Sequence, residues 1–300
     1  RLQLAWSPDS KWLLFSDKFM KLNLVNAETG DLTVVDQGEY DDGWERWGIQ
    51  DYVWSPDNNW IAYAKQVQNM NQVVYLYSLA EKKIHPVTTD MTQSWSPSFD
   101  SQGRYLYILS ERTFDPTMSF VDQQHVYLDM CRPYVVLLKE GAASPFAPQD
   151  SEETVKADEP KAEEKADAKA EEKKADEDKK ADEEKKPAEE KPKEEKADQP
   201  SIDLGDFERR TIAVEGVPAG NYFRLEATEK GFVYLKKEGR EFTKYQTISD
   251  VSGAAVDLWY YDIEQKDADK RQPKKLMSGI NNYHLSADHK KLVYRNGGSY

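Results

Sequence analysis

One phrase occurs three times near the start of this chain. Leu4-Ala-Trp-Ser-Pro-Asp9 runs into Lys-Trp-Leu-Leu-Phe15, and Tyr52-Val-Trp-Ser-Pro-Asp57 runs into Asn-Trp-Ile-Ala-Tyr63. Ser94-Trp-Ser-Pro97, with Phe99-Asp100, runs into Gly103-Arg-Tyr-Leu-Tyr107. The copies recur about every 43 to 48 residues, the spacing of four-stranded propeller blades. In each, a Ser-Pro-Asp turn is expected to join one short apolar strand to the next. Proline presets φ at the first central turn position, and Asp accepts hydrogen bonds from backbone groups just ahead. The residues that follow alternate apolar and polar, as a half-buried strand requires. The reading places Trp6 and Trp54 in the core between blades as packing residues, in preference to ligand-stacking platforms.

Weaker echoes continue the pattern. Asn221-Tyr-Phe-Arg-Leu225 leads into Gly231-Phe-Val-Tyr-Leu235, and Tyr283-His-Leu-Ser-Ala-Asp288 leads into Lys291-Leu-Val-Tyr294, with Ala287 in place of proline. A second hairpin follows several copies, as in Leu22–Val25 with Thr29–Val34, Val74–Tyr77 with Lys82–Val87, and the strand opening at Leu258. The fold class that results is all-β: a β-propeller fragment of about four blades with part of a fifth begun at Asn281. Arg1 and Tyr300 both fall inside a phrase or blade, so the chain is expected to be a piece of a larger protein. A propeller must close to hide its strand edges.

One stretch is of different material. Residues 151 to 200 contain 20 acidic and 13 basic residues, carry half of the net charge of −14, and hold no aromatic residue. Such a block cannot bury enough apolar area to offset chain entropy, so a disordered or partly helical charged insert is expected, with a docking tail for a basic partner as the alternative. The organisation expected is therefore blades over residues 1–149, the insert over 150–200, and further blades over 201–300. The strands on either side of the insert, Arg132–Leu138 and Phe207–Val214, are expected to pair across it.

About 250 residues remain outside the insert, enough for a large β core. The acidic balance and the lack of a basic patch argue against nucleic acid as a partner. No run reaches the roughly 18 apolar residues of a membrane span. Cys131 is the only cysteine, so there is no internal disulfide. His85, His125, His284 and His289 sit apart, without metal-ligand spacing, and His125 and Asp129 stand too far apart along a strand to act together. No nucleophile elbow or phosphate-cradling loop is present, and no cofactor is implied.

A propeller binds through its channel and the loops at its mouths. Two loops carry the required chemistry. The first, Gly38 to Ile49, contains Asp41, Asp42, Trp44, Glu45, Arg46 and Trp47; the second, Ser110 to Gln124, contains Arg112, Phe114 and Asp115. Mixed acidic and aromatic side chains suit extended peptides with basic or apolar groups. Asp41, Asp42, Trp44, Arg46, Trp47, Arg112 and Phe114 are the candidate substrate-binding residues. The competing reading is a solvated loop whose tryptophan packs on its own blade.

The Trp-Ser-Pro-Asp repeats, Arg132-Pro-Tyr-Val-Val-Leu-Leu138 with Ser144-Pro-Phe-Ala-Pro148, the charged insert, and Ile202-Asp-Leu204 through Glu208-Arg-Arg210 to Pro218-Ala-Gly-Asn-Tyr222 come in an order that resembles the later propeller of bacterial tricorn protease homologues. The resemblance covers nearly the whole chain except the insert. It implies a non-catalytic propeller in a large serine peptidase, gating unfolded peptides toward a downstream catalytic domain, with a PDZ-like domain elsewhere in the parent. It also implies an extracytoplasmic, periplasmic setting and allows a homo-oligomer. No position matches the family's catalytic motif, so no catalytic residue is carried over. The alternatives are a stand-alone periplasmic propeller of the Tol type, which predicts a short parent, and a prolyl-oligopeptidase-type propeller, which predicts a Gly-x-Ser-x-Gly hydrolase domain after it.

Overall fold

The computed structural model describes residues 4–40, 48–114, 117–118, 125–126, 129–147, 202–237, 256–286 and 288–300. Among them the chain folds into successive antiparallel sheets of four strands. The first comprises β1 (Leu4–Trp6), β2 (Trp12–Ser16), β3 (Lys21–Asn26) and β4 (Leu32–Gln37), paired in chain order. The second comprises β5 (Ile49–Trp54), β6 (Trp60–Gln66), β7 (Gln72–Ser78) and β8 (Lys83–Pro86). In the third, β9 (Ser94–Phe99) and β10 (Tyr105–Ser110) are followed by a short excursion, β11 (Thr117–Met118) paired with β12 (His125–Val126). The sheet then resumes with β13 (Arg132–Leu137) and closes with β14 (Thr211–Ala213). The fourth comprises β15 (Asn221–Ala227), β16 (Gly231–Lys237), β17 (Val256–Asp262) and β18 (Lys274–Ile280), and a hairpin of β19 (Asn282–Leu285) with β20 (Leu292–Arg295) opens a fifth.

The turn chemistry repeats atom by atom. The Ser7 hydroxyl donates to the Asp9 carboxylate at 2.7 Å and accepts from the Trp12 N–H at 2.9 Å, while Asp9 accepts from the Lys11 N–H at 3.1 Å. Ser55, Asp57, Asn59 and Trp60 make the same set, as do Ser286, Asp288, Lys290 and Lys291. Because the copy with Ala287 keeps these bonds, serine and aspartate define the turn and proline only favours it.

The third copy of the phrase departs from the expectation. Ser96 and Pro97 lie within β9, and the turn is made instead around Asp100, whose N–H bonds to the Tyr105 carbonyl at 3.0 Å and whose carboxylate accepts from the Tyr105 N–H at 2.9 Å. Phe99 faces Leu106 just before this turn, the place Trp54 takes opposite Ile61. A proline is tolerated inside β9 because the strand is at the edge of its sheet, where no neighbour needs its missing N–H.

The core lies between sheets. Leu14, Leu22, Tyr52, Trp54, Ile61 and Tyr63 fill the space between the first two; Leu76, Phe99, Leu106 and Ile108 follow between the second and third. Tyr107, Leu109, Tyr222, Phe232 and Tyr261 pack between the third and fourth, and Phe223, Leu258 and Tyr283 between the fourth and the last hairpin. Trp54 is 9% exposed and its indole N–H donates to the Ala5 carbonyl at 3.2 Å, so it packs against the sheet before its own. Trp6 is 56% exposed, contrary to the expectation of a core residue, because among the described residues no sheet precedes the first.

The chain on either side of the charged stretch does pair, with Tyr134 opposite Ala213 and Val136 opposite Thr211, but only Thr211–Ala213 of the expected second strand is extended, Phe207–Arg210 forming a 3-10 turn instead. The returning segment is fastened by Arg210, whose guanidinium donates to the carbonyls of Leu137 at 3.1 Å, Leu138 at 3.0 Å, Asp203 at 2.6 Å, and Gly205.

Candidate functional site on the first strands of the sheets

The first strands of successive sheets lie side by side, β1 against β5, β5 against β9, and β9 against β15. Three of them carry the same irregularity at the same place. The register slips between Gln50 and Val53 of β5, opposite Tyr107 and Leu109 in β9, and between Phe223 and Leu225 of β15. The extra residue in each bulge has a left-handed backbone: Asp51 at φ +54°, Ser96 at +50° and Arg224 at +41°. Each stands three residues before the last residue of its strand, Trp54, Phe99 or Ala227. Left-handed conformations are costly for residues with a Cβ, and bulges of this kind re-aim side chains out of the ladder.

The re-aimed groups meet across sheets. The Asp51 carboxylate accepts from the Ser96 N–H at 3.0 Å, and the Ser96 hydroxyl accepts from the Leu225 N–H at 3.4 Å. Arg224 donates through Nε to Glu226 at 2.6 Å, to the Asn282 side-chain oxygen, and to Nδ1 of His284 at 3.3 Å. Its guanidinium lies 4.8 Å from the centre of the Tyr283 ring, and the Tyr283 hydroxyl donates to the Arg224 carbonyl at 2.9 Å. A polar belt of Asp51, Ser96, Arg224, Glu226, Asn282 and His284 thus spans four sheets.

Burial pushes the Asp51 carboxyl above its ordinary range, against the pull of the Ser96 N–H and the Arg224 charge. Burial also works to lower Arg224, but Glu226, Tyr283 and Asp51 outweigh it and hold the guanidinium above its usual value. His284 is held below the usual histidine value, first by burial and then by Arg224. It is therefore neutral at pH 7, with Nδ1 accepting from arginine and Nε2 carrying the proton. Ser96 is buried, but Arg224 and Glu226 remain 29% and 28% exposed at their side chains, so this end of the belt is within reach of a visiting chain. It displays both donors and acceptors, the pattern that a peptide backbone satisfies.

Of the residues singled out from sequence, Asp41, Asp42, Trp44, Arg46 and Trp47 lie outside the described residues, with Glu45 and Asp115. Arg112 serves as a brace: it donates to Ser110 at 3.2 Å and to Glu208 at 3.0 Å, and covers the Tyr134 ring at 5.2 Å. Glu208 in turn accepts from the Thr89 N–H at 3.1 Å, which ties the end of the second sheet to the third. Phe114 is 73% exposed. The belt itself was missed because its residues share no motif. Aligning the repeats on their turns and reading three positions upstream would have found it.

Side-by-side four-stranded sheets, each packed on the next and each presenting its first strand to the same side, define a β-propeller segment. The chain belongs to the Tricorn protease second beta propeller domain family, which matches residues 1–300. It is 32% identical to the Tricorn protease of Thermoplasma volcanium over 154 residues, which is 49% of this chain and 14% of that protein. It is 35% identical to a putative Tricorn-like protease C-terminal subunit of Sulfurisphaera tokodaii over 148 residues, 49% of this chain and 16% of that protein. The crystal structure of the tricorn protease superposes with a TM-score of 0.68 at 19% identity, covering 99% of this chain and 24% of that one. The aligned parts thus make up a small share of each relative's length.

Proposed function

We propose that this chain is the non-catalytic propeller portion of a tricorn-like serine peptidase, receiving unfolded polypeptide and passing it toward a catalytic domain elsewhere in the parent protein. The observation that carries this reading is the belt on the first strands: donors and acceptors from four sheets, held at three strained bulges, with Arg224 and Glu226 within reach of an extended chain. Strain of one to a few kcal/mol per residue persists where surrounding structure over-determines it, and such residues cluster at binding sites. A belt with both hydrogen-bonding senses suits polypeptide in general, which a processive feeder requires. The family membership supports the peptidase as the parent, and its PDZ-like and catalytic domains are the intramolecular partners in this reading.

The test compares the parent protein with this chain on a fluorophore-labelled unfolded polypeptide and on short fluorogenic peptides. The parent is expected to cleave, a serine-directed inhibitor to abolish cleavage, and this chain to bind the polypeptide without cutting it. Cleavage by this chain alone, or no binding of polypeptide by it, would overturn the reading.

A further inference from the structure

The belt has a charge as well as a hydrogen-bonding pattern. Asp51 and Glu226 bring two carboxylates, Arg224 brings one guanidinium, and Ser96 and Asn282 are neutral. His284 is also neutral, because its Nδ1 accepts from Arg224. One carboxylate is therefore in excess. Among the described residues the cation acting on Asp51 and Glu226 is Arg224, which already binds Glu226. Nor is the excess diluted by bulk water alone, for Glu226 is 28% exposed and the Asp51 carboxylate reaches from β5 to the Ser96 N–H of β9. Interactions between charges strengthen as the surrounding medium becomes less polar. The chain as a whole adds a net charge of −14, which draws cations and repels anions at long range.

Glu226 is well placed for a second contact. Its Oε1 takes the Arg224 Nε–H, and an ionised carboxylate has further acceptor capacity on both oxygens. An ammonium group, with three donors and no acceptor, fits a carboxylate with acceptor sites still unused, such as that of Glu226. A carboxylate on the ligand would meet the same excess negative charge and be disfavoured.

Resting on the reading that this propeller handles polypeptide, we propose that the Asp51, Arg224, Glu226, Asn282 and His284 belt is a binding site for the cationic groups of an extended peptide, lysine ammonium above all. The site then selects among incoming segments by charge while tolerating their sequence in other respects.

Three fluorescein-labelled peptides of one length decide the matter, measured by anisotropy against the full chain at fixed ionic strength. They share a Gly, Ser and Thr background and carry four lysines, four acetyl-lysines or four glutamates. The lysine peptide is expected to bind at least about tenfold more tightly than the acetylated one, a difference of about 1.4 kcal/mol, and the glutamate peptide more weakly still. Glu226→Gln and Asp51→Asn, each checked by circular dichroism for an unchanged fold, are expected to reduce that preference to less than about threefold. The wild-type comparison stands whether or not either variant folds. Equal binding of lysine and acetyl-lysine peptides overturns this proposal and leaves polypeptide handling intact. A lysine preference that survives both substitutions moves the cation off the belt and also overturns it. Failure of all three peptides to bind overturns both readings together.

Discussion

Two tryptophans in the same phrase have different fates, and the difference is set by their neighbours. Trp54 is buried against the first sheet and donates to the Ala5 carbonyl. Trp6 has the same local sequence but no sheet on the corresponding side among the described residues, and over half of it is exposed. Trp54→Ala should therefore cost about 3–5 kcal/mol, the loss for a large core aromatic, whereas Trp6→Ala in this chain should cost less than about 1 kcal/mol. Urea unfolding of both variants checks the pair, and equal losses would mean that the phrase itself, not burial between sheets, sets the energy. Local pattern showed that the side chain belongs to an interface. It carried no information on whether the other half of that interface is present. The belt was illegible for a related reason: Asp51, Ser96 and Arg224 are chemically unlike, and only their equivalent place in successive sheets makes them one site.

At the scale of strands and sheets the repeats were legible where hydrogen bonding is local. The Ser and Asp turn at Ser7, Ser55 and Ser286 needs only six consecutive residues, and each was visible in the sequence. The third phrase misled because Trp-Ser-Pro recurs four residues too early, inside β9, while Asp100 performs the turn. The pairing of β13 with β14 across the charged stretch was readable from two apolar strands left without partners, but its fastening by Arg210 was not. That guanidinium reaches the carbonyls of Leu137 and Leu138 on one side and of Asp203 and Gly205 on the other, all groups without a sequence signature. Since these contacts and the ladder between β13 and β14 lie outside residues 151–200, deleting that stretch should leave cooperative thermal unfolding in place. Arg210→Ala should instead destabilise the chain by about 1–3 kcal/mol, the cost of stranding buried carbonyls. Loss of a cooperative transition in the deletion, with Arg210→Ala neutral, would reverse the roles assigned to the two.

For the whole molecule, the pH dependence of stability is a contest between carboxyls displaced in opposite directions. Asp17 and Asp257 are held below their ordinary value of 3.8: burial opposes this, but the Lys21 and Phe19 N–H groups outweigh it at Asp17, and Lys275 does so at Asp257. Their contribution is present above 3.8 and is lost as the pH falls through their folded values. His284, lowered from 6.5, likewise contributes above 6.5 and loses that contribution as the pH falls. Asp51 and Glu111 are raised from 3.8 and 4.5 by burial, so the stability linked to them is complete below those values and is lost as the pH rises through the folded ones. At neutral pH the charge on Asp51 therefore weighs against the fold, even though its oxygen holds the Ser96 N–H. Asn in that position keeps an acceptor for Ser96 and discards the charge, and Arg224 retains Glu226 as its ion-pair partner. Asp51→Asn should accordingly melt at a higher temperature than the unaltered chain at pH 7 to 8, with the gap closing as the pH approaches about 4. Melting curves across that range measure it directly. A variant that melts lower at pH 8 would show that attraction to Arg224 exceeds the cost of burial, and the belt would then be a structural clasp first and a binding site second. A variant that melts higher would mean that the chain bears an unfavourable buried charge at the position where a visiting cation would relieve it.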